Sequence, residues 1–85
     1  MNIALRDQAG TVLRGFLAVT NKSQESRAYM SGYLSACRHA GAIDLPDYEA
    51  AIAVVEDRQV PEALHGRMWW HITTQKIHKR LAGLR

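Results

Sequence analysis

GYLSACRHAGAIDLPDYEAAIAV, residues 32–54, decides how this chain folds. Its left half closes a stripe that begins slightly earlier. Tyr29, Met30, Tyr33, Leu34, Cys37 and Ala40 recur at helical spacing and define one apolar face. Gly41 follows where a helix wants a left-handed residue just past its end, and Ile43 stands ready to fold back on the last turn. The right half opens with Asp44 as an N-cap. Pro46 falls in the first turn, where its missing N–H costs nothing. Asp47 and Glu49 suit the positive end of the helix dipole, and Tyr48, Ala51, Ile52 and Val55 form an inner face. The reading is a helix over about 22–40, a tight turn, and a second helix over about 45–58. Joined so closely, the two should form an antiparallel αα-hairpin.

Working outward, Asn21 or Ser23 can cap the first helix of the hairpin, and Asn21 with Gln24 has capping-box spacing. Residues 3–20 are harder to read. Leu5, Ala9, Val12, Leu13, Phe16 and Leu17 form a helical face. Gly10 and Gly15 oppose it, each costing about 1 kcal/mol relative to Ala. The competing reading is a β-hairpin over 3–19, turning at Asp7–Gly10 and returning through Thr11, Val12, Phe16 and Val19. Helix is preferred because the apolar face is wide and the alternation poor. After Gln59–Val60–Pro61, a fourth segment runs from Pro61 to about residue 82, with His65–Gly66 as a kink or late start. Leu64, Met68 and Ile72 make one stripe; Trp70, Ile77, Leu81 and Leu84 make another. The expected fold is all-α: one domain, 1–85, holding three to four helices around the central hairpin. The alternative is α+β with the N-terminal β-hairpin.

Composition narrows the class. Eighty-five residues make one domain, burying about 60–65% of its unfolded surface. Cys37 is the only cysteine, so no disulfide forms within one chain, and a lone thiol suits a reducing compartment. No apolar run approaches the roughly 20 residues of a membrane span. The opening MNIALRDQ lacks the basic-then-apolar order of a signal peptide. The expectation is a cytoplasmic protein. Its small core and abundant apolar side chains suggest a homodimer.

Charge is ordered along the chain. Residues 44–62 carry six acids (Asp44, Asp47, Glu49, Glu56, Asp57, Glu62) against Arg58 alone. Residues 63–85 carry Arg67, Lys76, Lys79, Arg80 and Arg85 and no acid. A basic tail beside an acidic body either seeks an external polyanion or pairs with acids of its own kind.

Chemistry-bearing constellations are few. Cys37 and His39 point about 200° apart on a helix, and His71 and His78 lie roughly 10 Å apart along one, so no metal site is expected. No glycine-rich phosphate loop, nucleophile elbow or spaced acid pair appears. The chain therefore reads as non-enzymatic and without cofactor. Aligning Gly41 with the turn of a helix-turn-helix would make the second hairpin helix the reader of DNA. That helix carries Asp47, Glu49, Glu56 and Asp57, which phosphates repel. Nucleic-acid binding remains as the alternative function, through Lys76, Lys79 and Arg80 on one face of the final segment. Trp69 and Trp70 have two readings: core anchors of the bundle, or exposed interface anchors of the kind that dominate binding energy.

Residues 32–54 also resemble a recurrent helical hairpin. Ala40–Gly41–Ala42–Ile43 and Asp47–Tyr48–Glu49 carry the likeness. Similar hairpins occur in SHOCT-like short helical domains and in small accessory proteins of temperate phages and prophages. The resemblance implies a non-enzymatic binding module that inhibits or regulates a larger bacterial protein. Arg67, Trp69, Trp70, Lys76, Lys79 and Arg80 would be its contacts, with the bases steering towards an acidic partner.

Overall fold

The computed structural model describes residues 2–71, and these form a small all-α bundle with no strand among them. Three α-helices follow in order: α1 (Ile3–Ala18), α2 (Gln24–His39) and α3 (Leu45–Val55). A 3-10 helix, Glu62–Arg67, comes next. No helix of the described residues is long and apolar enough to cross a membrane.

The hairpin forms as its caps dictate. Ser23 caps α2, its side-chain oxygen accepting from the Ser26 N–H at 3.0 Å. The cap is thus Ser23, and the Asn21–Gln24 box is not used. At the other end Gly41 adopts φ +78°, and Ala42 donates to the Cys37 carbonyl across it. That 6→1 bond is the Schellman closure. Asp44 then caps α3 by accepting from the Asp47 N–H at 3.0 Å. The end of α3 repeats the closure without a glycine: Asp57 takes φ +58° and Arg58 donates to the Ala53 carbonyl. Two cross-ties show that the helices run antiparallel. Arg27, early in α2, donates to the Val55 carbonyl at the end of α3. Arg38, late in α2, lies 5.7 Å from the Tyr48 ring near the start of α3.

Residues 3–18 are helical, so the β-hairpin alternative is overturned. Asn2 caps α1 by accepting from the Leu5 N–H, and Ala9 and Leu13 are fully buried. The glycine that argued against this helix has a tertiary reason. A Cβ on Gly10 would lie 2.9 Å from the Trp69 Nε1 atom, so the absent side chain is the seat of an indole. Gly15 has no such neighbour.

The core gathers Leu13, Met30, Leu34, Cys37, Val55 and Trp70 around α3. On α3 itself, Ala50, Ala51 and Ala53 are buried on different sides. Small side chains let the neighbours approach its backbone closely, and α3 contacts α1, α2 and the 3-10 helix.

The fourth segment is interrupted close to where His65–Gly66 was read as a kink or late start. Residues 62–67 wind as a 3-10 helix, Met68 leaves helical geometry at ψ 66°, and helix resumes at Trp69. On an unbroken α-helix, adjacent tryptophans would diverge by about 100° and need cover over a broad arc. Trp69 and Trp70 share the resumed turn, and the surrounding elements cover both indoles. The remainder of the expected segment, to residue 82, lies outside the described residues.

Candidate functional site

The two tryptophans were candidates for an exposed contact, and the fold places them inside. Trp69 is 3% exposed and Trp70 1%. Their rings meet edge-on, centroids 4.9 Å apart at 84°, a favourable aromatic geometry. Trp69 rests on Gly10, its Nε1–H donates to the Arg6 carbonyl at 2.9 Å, and the Arg6 guanidinium lies 5.4 Å from its ring. Arg14 donates to the Trp70 carbonyl at 3.1 Å. The indoles therefore lock the fourth segment onto α1. Their contact role is corrected to that of core anchors, because α1 offers a glycine slot and a carbonyl acceptor that satisfy a buried indole.

Arg67 is half exposed but engaged by its own chain. It donates to Asp44 Oδ2 at 2.8 Å and lies 3.8 Å from Asp47 Oδ1. Of the two destinations open to the basic tail, Arg67 takes the chain's own acidic stretch. Lys76, Lys79 and Arg80 lie outside the described residues.

Arg67 belongs to a charged cluster that joins three elements. Asp47 is 1% exposed, and its Oδ2 accepts from Arg6 of α1 at 3.4 Å. Its Oδ1 is buried without a hydrogen bond. Burial pushes the Asp47 carboxyl above its usual range, with Arg6 pulling the other way. Asp44 is held below the usual range, first by the Asp47 N–H that it caps and then by Arg67. Sequence reasoning placed Asp47 as a partner of the helix dipole and missed its burial. The Asp44–x–x–Asp47 cap spacing was the available signal, since it fixes which side of α3 the second acid takes. Cys37 is buried, as a core residue should be. Tyr33, one turn earlier, has its hydroxyl enclosed without a hydrogen bond, and burial raises the pKa of both groups.

An exposed apolar surface lies elsewhere, where α1 runs into α2. Val12, Phe16 and Val19 face Tyr29 and Met30 across a groove of about 420 Å³, with Glu25 and Ser26 on its rim. Tyr29 is 71% exposed and Val19 52%. Lys22 donates to the Val19 carbonyl at 2.6 Å and sits 5.6 Å from the Phe16 ring. The sequence had put Tyr29 on the inner stripe of α2. That assignment failed because Tyr29 sits at the margin of the stripe, where only the position of α1 decides what is covered. A second hollow, about 530 Å³, is lined by Val54, Val60, Met68, His65 and His71 among others. Two of its polar groups turn to their own chain: His65 Nε2–H donates to the Val60 carbonyl at 3.0 Å, and Arg58 pairs with Glu56 at 2.8 Å.

Among the described residues no three His, Cys, Asp or Glu side chains come together as metal ligands. The fold and surface define a small helical bundle with an apolar groove. No family model, curated protein or solved structure matches the chain.

Proposed function

We infer that this chain is a non-enzymatic protein-binding module that inhibits or regulates a larger protein through the groove between α1 and α2. One observation carries the reading: Tyr29 and Val19 stand largely in solvent at the mouth of an apolar groove lined by Val12, Phe16 and Met30. An aromatic ring with its apolar face in water gains most from being covered by another apolar surface. Glu25 on the rim would help fix the orientation of an incoming helix or extended segment. The contact surface thus moves from the tryptophans to the other end of the first helical pair.

The nucleic-acid alternative draws no support from the described residues. Arg6 pairs with Asp47, Arg14 with the Trp70 carbonyl, Arg27 with the Val55 carbonyl and Arg67 with Asp44. These guanidinium groups are committed to the fold.

The test uses the full chain immobilised in a bacterial lysate, with retained proteins identified by mass spectrometry. A protein held by the wild type and by Ala63→Glu, yet lost from both Tyr29→Glu and Val19→Glu, supports the reading. Circular dichroism must show those variants folded. Capture that survives both groove variants contradicts it.

A further inference from the structure

We propose that the hollow between the α1–α2 loop and the end of α3 binds a small zwitterion, a free α-amino acid, with its carboxylate on Lys22 and Arg27 and its ammonium on Asp57. The hollow measures about 190 Å³ and is lined by Leu17, Thr20, Lys22, Arg27, Val54 and Asp57. The two larger hollows are mainly apolar, whereas this one is mainly polar. At about 30 Å³ per water it has room for about six, well below the ~300 Å³ at which drug-sized sites begin. A ligand of so few atoms buries little apolar surface, so charge must hold it.

The charges lining the hollow do not satisfy one another. Lys22 spends one of its three N–H donors on the Val19 carbonyl, and Arg27 spends one of its five on the Val55 carbonyl. These bonds fix where the two cations stand and leave donors over. The tie to Val55 also withdraws the half-buried Arg27 from the open surface. Among the described residues no ion pair joins Asp57 to either cation. The helix ends sort the charges further. Lys22 and Arg27 stand at the start of α2, and Asp57 lies just past the end of α3. The first end favours an anion and the second a cation. A simple anion would face the Asp57 carboxylate, and a simple cation would face Lys22 and Arg27. A molecule carrying both charges a few atoms apart answers all three groups.

The backbone of Asp57 supplies an independent argument. At φ +58° it occupies the left-handed site that closes α3, where glycine is the ordinary residue and where Gly41 closes α2. A side chain there costs stability against glycine. What the aspartate adds in return is a carboxylate on the hollow. Strain kept at a position that lines a polar cavity points to a role for the side chain.

The proposal does not rest on the groove reading, and its test leaves Val19 and Tyr29 unchanged. The full chain, labelled with nitrogen-15, is titrated with L-alanine at constant ionic strength and followed by its amide resonances. Saturable shifts should appear around Thr20, Lys22, Arg27 and Asp57. Propionate lacks the ammonium and ethylamine lacks the carboxylate, and each should bind at least tenfold more weakly. Asp57→Asn and Lys22→Gln should each weaken L-alanine at least tenfold. Asp57→Gly should lose the ligand to the same degree while its melting temperature rises, so that the loss cannot come from unfolding. Absence of a saturable shift up to tens of millimolar L-alanine overturns the proposal. So does propionate binding as tightly as L-alanine, which would make the hollow a plain anion site, or an Asp57→Gly chain that binds L-alanine as wild type does.

Discussion

The α2–α3 hairpin and the tryptophan segment are held by different kinds of information. The hairpin is local. Ser23, Gly41, Asp44 and Pro46 punctuate it, and each acts on backbone within a turn or two of itself. The segment around Trp69 and Trp70 is held by α1, some sixty residues away, through a glycine slot, a carbonyl acceptor and two arginines. Local punctuation can be read from a sequence. A slot and its occupant become visible only when the fold brings them together.

Substitutions can break each side of this contrast, and the largest effect belongs to the long-range side. Trp70 is almost fully buried, so Trp70→Ala should cost about 3–5 kcal/mol, seen as a lowered urea midpoint. A cost below about 1 kcal/mol would mean that the indole is not a core anchor. Gly10→Ala is the sharper probe. On an isolated helix the change is favourable by about 1 kcal/mol. Here the new Cβ would sit 2.9 Å from the Trp69 ring, and overpacking should destabilise by about 1–3 kcal/mol. The same substitution at Gly15, where nothing lies within 4 Å, should stabilise instead. Opposite signs in the two melting curves would separate slot from propensity.

On the local side, Gly41→Ala forces a side chain into left-handed geometry at φ +78° and should cost about 1–2 kcal/mol in the same denaturation assay. Asp57 occupies the equivalent site of α3 at φ +58°. Asp57→Gly should therefore raise the midpoint, by less than about 1 kcal/mol, since aspartate tolerates the conformation better than most residues.

The smallest effect concerns the charged cluster and is one of pH. Asp47 has a raised carboxyl pKa, so between the ordinary carboxylate value and its own the folded state binds more proton than the unfolded. Its contribution to stability falls as pH rises through that window and recovers as pH drops. Asp44 behaves oppositely, its lowered pKa giving stability above the ordinary value that is lost in acid. Urea midpoints from neutral pH to about pH 3.5 should show wild type gaining on Asp47→Asn as pH falls. A difference that does not change with pH would contradict the burial-raised carboxyl.

This contrast also explains what could be read from the residues alone. The all-α class, the hairpin, the Asp44 cap, the Gly41 turn and the core position of Cys37 follow from spacing and cap chemistry. The register of the α2 cap fell on Ser23 instead of Asn21, a choice between two polar residues within one loop. In the fourth segment the kink or late start read at His65–Gly66 corresponds to a 3-10 turn over 62–67 with helix resuming at Trp69, a distinction that apolar periodicity does not make. The contact surface was misplaced at the tryptophans. Large aromatic residues announce burial energy, and only the seat at Gly10 shows that they bury within their own chain. Tyr29, read as part of the inner stripe, stays outside because it sits at that stripe's margin.

Acrylamide quenching of the intrinsic tryptophan fluorescence of the full native chain tests the central claim most directly. The account predicts blue-shifted emission that acrylamide barely quenches until denaturant unfolds the protein. Emission at the wavelength of an indole in water, quenched as freely before unfolding as after, would place the tryptophans outside the core and contradict it.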